Sequence, residues 1–364
     1  MIKARIIKNS RNEDTTEVSY LNFKGSCPGG ASTGKSEVKA FNNNINDEVK
    51  TFNKISNKLE KVEIKEFDDL KNIEKLLEKF GANLNISTEF AILHSKGGYK
   101  WLSKNRKFPK PLGNVIGGGA HLKGKGTNFQ EFLVVDNNSK TFFDSAITNK
   151  KIHRDLREEL EGYDFKGEMT DEGAWAPKGI DNEDVLKLVK KVAKKHKADV
   201  GLDIAASEFY KNKKYVYNEF TLSRDEQIDF VNNLIKKYNL YYVEDPLEEN
   251  DFEGFSHIKK KNLVCGDDLI TTNVERLKKA IDSINSVIIK PNQIGSLINM
   301  KKTIDFAKKN KIKTIFSHRS GETMDTALSH LALGFNADHI KVSVFGKERE
   351  SKINELIKIE KKLH

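Results

Sequence analysis

Among its 364 residues the chain has only two cysteines and six prolines, and it has no apolar run long enough to cross a bilayer. Each shortage removes a class of protein. Cys27 and Cys265 lie far apart without C-x-x-C spacing, so neither a disulfide framework nor a cysteine-based zinc site is expected. A membrane helix needs roughly 18 consecutive apolar residues, and the opening MIKARIIKNS lacks the apolar core of a secretory leader. A cytoplasmic protein without a membrane partner is therefore expected. A basic stripe interleaved with aromatic residues is also missing. The formal net charge of +10 accordingly reads as a solvated, lysine-rich surface, and nucleic acid is not expected as a partner.

What is present suits a sizeable core: 37% of the residues are hydrophobic, enough for two domains or for one large barrel with an appendage. RIIKN and TEVSYLNF flank the turn-like SRNED, so a hairpin opens the chain. From about residue 37 to 95 the apolar spacing is mostly helical. Pro109 and Pro111 then mark a change of texture, which places a domain boundary between residues 108 and 109. Beyond it, VGLDIAA, LYYVEDP, NLVCGDD, SVIIKPNQIG, KTIFSHRSG and HIKVSV alternate with amphipathic helical segments. Ser223 to Glu226 and Thr272 to Glu275 both fit a capping box, and Val185, Leu188, Val189 and Val192 form one apolar stripe. Such alternation predicts a parallel α/β architecture.

The stretch GGASTGKS at 29–36 satisfies the phosphate-loop pattern G-x-x-x-x-G-K-[ST]. A true phosphate loop needs a buried strand feeding it and a second strand ending in a metal-binding acid. Here the preceding hairpin is half polar, Cys27-Pro28 breaks the approach, and VEDP lies more than 200 residues away. Nucleotide binding is the minor alternative, with Lys35 expected to be solvated or paired with a local acid.

Asp203, Glu244, Asp267, Lys290, His318 and Lys341 each fall at or near the end of a strand-like run, separated by 41, 23, 23, 28 and 23 residues. Those gaps suit successive βα units, so the six side chains should project from one rim, as in a (β/α)8 barrel. An open doubly wound sheet would instead gather its ligands at a single switch point. Asp203, Glu244 and Asp267 form a hard, all-oxygen set suited to Mg2+. Lys290, in an apolar strand and beside cations, is expected to have its ammonium form disfavoured and so to serve as a base. His318, Arg319 and Ser320 offer a cation, a planar fork and a hydroxyl for a phosphate. Together they point to abstraction of a proton α to a carboxylate, with metal ions absorbing the charge of the intermediate.

GASTG at 30–34, QEF at 130–132, DEG at 171–173, GLDIAASEFY at 201–210, VEDP at 243–246, GDDL at 266–269, KPNQIGSL at 290–297 and SHRSGETMDT at 317–326 resemble the motifs of the enolase family, in the family's order. The resemblance implies an enolase-type (β/α)8 barrel preceded by a smaller α+β domain. It implies a lyase acting on 2-phosphoglycerate and phosphoenolpyruvate with two Mg2+ ions, the second arriving with substrate; a lysine base with Mg2+ is the arrangement of that superfamily. By resemblance Asp203, Glu244 and Asp267 hold the first ion and Ser32 the second. Lys290 is the base, Glu172 the acid assisting loss of the C3 hydroxyl, and Glu131 the carboxylate paired with it. His121 belongs to a mobile loop over the substrate, and His318, Arg319, Ser320, Lys341 and Gln130 bind substrate. A homodimer or higher homo-oligomer is implied. An enolase-like lyase acting on a different phosphorylated or carboxylated acid is the alternative. The chain differs from the family pattern at Gly117, at Leu122-Lys123 after the histidine, at Trp175, and in VSVF after Lys341.

Overall fold

The computed structural model describes residues 2–31, 33–104, 107–122, 126–163 and 165–363, without the side chains of Ala120 and His121. The opening hairpin extends to three strands, β1 (Ile2–Lys8), β2 (Asp14–Tyr20) and β3 (Phe23–Ser26), paired antiparallel in that order. Alternation decides what each face does. Ile2, Ala4 and Val18 are buried while Lys3 and Arg5 are exposed, so one face is left for the helices Ile45–Glu60 and Ala82–Ser95. Phe52 and Leu59 of the first helix are buried in the same core. The second helix is buried on nearly every side, because it also packs against the helix Pro291–Ile294 of the barrel.

β3 touches that second helix closely. A Cβ at Gly25 would lie 2.2 Å from the Ala91 amide nitrogen and 2.3 Å from the Ser87 carbonyl. Ser87 then bonds Thr16 through its hydroxyl and receives the Cys27 amide at 3.1 Å. These contacts fix the chain just ahead of the glycine-rich loop.

The second part is a closed barrel of β4 (Lys110–Gly117), β5 (Glu131–Val135) and β6 (Asp199–Asp203), followed by five further strands. Before those come three short strands, β7 (Tyr210–Lys211), β8 (Lys214–Val216) and β9 (Thr221–Leu222), which form a separate sheet. The barrel continues with β10 (Tyr242–Glu244), β11 (Leu263–Gly266), β12 (Ser286–Ile289), β13 (Lys313–Ser317) and β14 (His339–Lys341), which pairs with β4. The expected barrel with a smaller α+β part before it is observed. It is not wholly parallel, however: β5 runs antiparallel to both β4 and β6. Parallel neighbours need a crossover of a dozen or more residues, usually a helix, whereas the only helical turn described between β4 and β5 is Gly119–Leu122. The two helices Phe142–Leu160 and Asn182–Lys195 instead follow β5 in succession.

Leu112, Leu133, Val135, Tyr242, Cys265, Ile288 and Ile315 fill the barrel interior without solvent exposure. The stripe of Val185, Leu188, Val189 and Val192 is buried as expected. Ser223 and Glu226 make a reciprocal capping box. The second expected box is displaced by one residue: Asn273 caps the helix Val274–Lys279, while Thr272 sits in the left-handed region at φ 54° and donates its hydroxyl to Gln293 at 2.7 Å. Gly25→Val should drive β3 off the helix Ala82–Ser95 and destabilise the chain by about 1–3 kcal/mol. A lower urea midpoint at unchanged m-value is the expected measurement.

Candidate active site

Strand register brings the predicted carboxylates side by side. Asp203 and Glu244 are the last residues of β6 and β10 and pair directly, and Asp267 follows β11 by one residue. Because β5 runs backwards, its first residue, Glu131, reaches the same rim opposite Asp203. Lys290 and His318 each follow the end of their strands, and Lys341 ends β14. Gln130, Glu131, Glu172, Asp203, Lys290, His318, Arg319, Ser320 and Lys341 line one small cavity at this rim.

Lys341 extends across the barrel mouth. Its Nζ lies 2.7 Å from Glu131, 2.8 Å from Asp203 and 2.7 Å from Glu244. Burial opposes the charge on Lys341, but Asp203, Glu131 and Glu244 outweigh it and hold the pKa well above the lysine range. The carboxylates divide. Burial alone would raise Glu131, yet Lys341 and His318 hold it well below the usual range. Burial and its neighbour Asp203 push Glu244 well up, and burial also raises Asp203. Tyr242 donates its hydroxyl to Glu244 at 2.5 Å.

Opposite, Lys290 contacts Asp267. The sequence reading expects cationic neighbours to depress this lysine. Burial, Arg319 and Lys341 do act in that direction, but the surrounding carboxylates, Asp267 first and Glu244 after it, hold the pKa above the lysine range. Asp267 in turn also accepts the Gln293 side-chain amide at 2.8 Å.

Glu131 and Glu172 are joined by Asn114, whose Nδ2 lies 2.9 Å from Glu131 Oε1 and 3.4 Å from Glu172 Oε2. His318 Nε2 stands 3.6 Å from Glu172. Behind Glu172, Trp175 turns away from the cavity. Its ring stacks on His153 at 4.4 Å, and its indole N–H donates to the His153 carbonyl at 2.6 Å. Burial pushes the His153 imidazole down to about 4.

The donor set fits a divalent cation. Asp203 Oδ1, Glu244 Oε1 and Gln130 Oε1 are buried acceptors with no hydrogen-bond donor. Orphaned buried oxygens are costly, and a hard ion with oxygen ligands satisfies them. Among the described residues, the sets of three ligand atoms lying within 4.8 Å of one another are Glu131–Glu172–His318 and Asp245–Asp267–Asp268. The expected trio of Asp203, Glu244 and Asp267 is not such a set. Lys341 draws on its first two members and Lys290 on the third.

The glycine-rich loop docks beside the cavity. Gly29 and Gly321 exchange backbone hydrogen bonds at 2.8 Å, and the Ala31 amide donates to Ser320 Oγ at 2.6 Å. Ser32 lies outside the described residues, as does the side chain of His121. Lys35 is 83% exposed and pairs with Glu249 at 3.2 Å, in keeping with the expected local acid. Sequence reasoning missed three groups that meet the site: Asn114 in the middle of β4, Asp245, which accepts the Asp267 and Asp268 amides, and Glu37, which pairs with Arg319. Asp245 stands inside VEDP, next to Glu244, and Glu37 lies one position beyond GGASTGKS. Asn114 carries no local signal at all.

Residues 105–364 match the family model described as the enolase C-terminal TIM barrel domain. The chain is 38% identical to an enolase of Methanosphaera stadtmanae, over 100% of this chain and 96% of that protein. It is 39% identical to an enolase of Picrophilus torridus over 99% of this chain and 97% of that protein. An enolase of Natronomonas pharaonis is 42% identical over 71% of this chain and 67% of its own length. With a barrel that closes around this rim of acids and lysines, and relatives of this identity along its whole length, the chain belongs to the enolase family.

Proposed function

We propose that the chain catalyses the reversible dehydration of 2-phosphoglycerate to phosphoenolpyruvate and water. The observation that carries this reading is that Lys290 lines one small cavity together with the Glu131–Glu172 pair, a candidate base and a candidate acid around a single space. Lys290 Nζ takes the proton from C2. The electron pair forms the C2–C3 double bond, and the C3 hydroxyl leaves as water with a proton from Glu172. Glu131, held ionised by Lys341 and His318, gives that proton on Glu172 an adjacent acceptor to lean on before transfer. Arg319, Ser320 and His318 hold the phosphate and Lys341 the carboxylate, with Gln130 beside Asp203 at 3.3 Å.

Family membership implies metal-dependent catalysis, and Asp203, Glu244 and Asp267 are the residues that would hold the first Mg2+, Ser32 the second. Bound there, the metal supplies positive charge to the carboxylate that becomes dianionic when C2 loses its proton. His121, in the turn after β4, is assigned to cover the substrate. We assign residues 1–108 to a capping domain and 109–364 to the catalytic barrel, and propose a cytoplasmic homodimer or higher homo-oligomer.

Purified protein should form phosphoenolpyruvate from 2-phosphoglycerate, followed by its ultraviolet absorbance, and lose activity with EDTA until Mg2+ is restored. A folded protein that turns over another phosphorylated or carboxylated acid but not this one would exclude the assignment. Lys290→Ala should lower kcat by about 10²–10⁴-fold, the range for a general base. Isothermal titration of the same variant with Mg2+ should retain binding, because the carboxylate ligands are untouched.

A further inference from the structure

The glycine-rich loop ends in a carboxylate that no role above uses. Glu37 reaches from the loop onto the guanidinium of Arg319 in a two-pronged pair, Oε2 at 3.0 Å from Nη1 and Oε1 at 3.2 Å from Nη2. Both partners are buried, with side-chain exposures of 7% and 3%. Glu37 Oε1 also accepts the Gly34 amide at 3.1 Å and faces the Gln293 amide at 3.4 Å. Gln293 is the residue that donates to Asp267. One carboxylate thus joins the loop's own backbone, the proposed phosphate grip and a residue bonded to the proposed metal site.

A second observation places the loop against the same guanidinium. A Cβ on Gly30 would lie 1.8 Å from Arg319 Nη2, so the loop backbone packs directly on the fork and only glycine permits it. Asn292 Oδ1 completes the surround, 3.4 Å from Nη1. A cleft of about 700 Å3, lined in part by Gly30, Gly34, Glu37, Asn292 and Arg319, opens beside the loop.

We infer that Glu37 is a positioning residue, which fixes the plane of the Arg319 guanidinium for phosphate and latches the glycine-rich loop over it. An arginine side chain has several rotatable bonds, and a planar fork binds phosphate well only when its plane is set in advance. The two-pronged carboxylate sets that plane, and Gly34 and Gln293 hold the carboxylate. The competing effect is electrostatic: a negative charge near an anion site weakens anion binding. The two effects predict opposite signs on removal of Glu37, and the geometry favours orientation. The carboxylate engages the far end of the fork through both terminal nitrogens and is itself anchored from two directions.

The inference rests on Arg319 gripping phosphate, and its test separates from that reading. Glu37→Gln keeps the shape and removes the charge; Glu37→Asp keeps the charge one methylene short. With 2-phosphoglycerate, Glu37→Gln should raise KM about tenfold and change kcat by less than about threefold, the signature of lost uniform binding. Inorganic phosphate should inhibit it competitively with a constant raised by a similar factor. Amide hydrogen exchange at the loop's described residues should quicken in the free variant. Glu37→Asp should fall between the two, and it carries the test if Glu37→Gln melts at a much lower temperature. In an Arg319→Met background, Glu37→Gln should add little further change. An unchanged or lower KM with unchanged loop exchange, or losses that multiply independently in the double variant, would overturn the inference. If the unaltered protein does not turn over 2-phosphoglycerate, the functional reading fails alone. Phosphate binding by calorimetry and loop exchange then still decide the role of Glu37.

Discussion

One ammonium group holds the barrel mouth together. Glu131, Asp203 and Glu244 sit on three adjacent strands with their carboxyl groups facing the same space, an arrangement that like-charge repulsion would open. Lys341, four strands around the barrel from Glu244, reaches all three. Unit charges 4 Å apart interact by about 4 kcal/mol at the effective dielectric suited to such sites, so each contact offsets a repulsion of similar size. The same ammonium is the group proposed to hold the substrate carboxylate, so the fold of the rim and its proposed chemistry share one cation. Two oxygens are left over, Asp203 Oδ1 and Glu244 Oε1, buried and without a hydrogen-bond donor.

The reversal of β5 is what allows three acids to meet there. In a wholly parallel barrel the residue at the rim is the last of each strand, and Glu131 would lie at the opposite end of β5 from Asp203. Run backwards, the same strand delivers its first residue to the rim, and the register Glu131 with Asp203 follows. The connection between β4 and β5 carries His121, and it leaves and re-enters the barrel at this same rim, because β4 ends and β5 begins there.

The rim was legible because strand ends repeat. Asp203, Glu244, Asp267, Lys290, His318 and Lys341 could be placed on one face from spacing alone, since every βα unit returns the chain to the same height. The antiparallel strand was not legible: its apolar run reads identically in either direction, and residues 118–130 before it are numerous enough for either connection. Nor was the direction of the Lys290 shift. Sequence neighbours suggested cations, whereas the carboxylate that raises it most, Asp267, comes from the adjacent strand. The capping box at Thr272 failed for a related reason, as its hydroxyl serves a tertiary partner, Gln293, that no local window contains. Trp175, one of the departures from the family pattern, stacks on His153, a partner that no local window contains.

The glycine-rich stretch illustrates how a pattern can be met by residues that do not perform its usual function. A phosphate loop uses its lysine, because the ammonium follows the glycines into the anion's reach. Here Lys35 projects to solvent and pairs with Glu249, while the glycines serve a guanidinium supplied by another part of the chain. Gly30 gives the approach, Gly34 donates an amide, and the residue that answers both is Glu37, one position beyond the pattern's end. An acid there makes no sense in a loop that cradles phosphate with its own backbone. It makes sense in a loop that holds another segment's cation in place, because a buried guanidinium needs a counter-charge whether or not the anion is bound. In the proposed phosphate grip the anion meets Arg319, just past β13, and the loop's contribution is to fix where that guanidinium points.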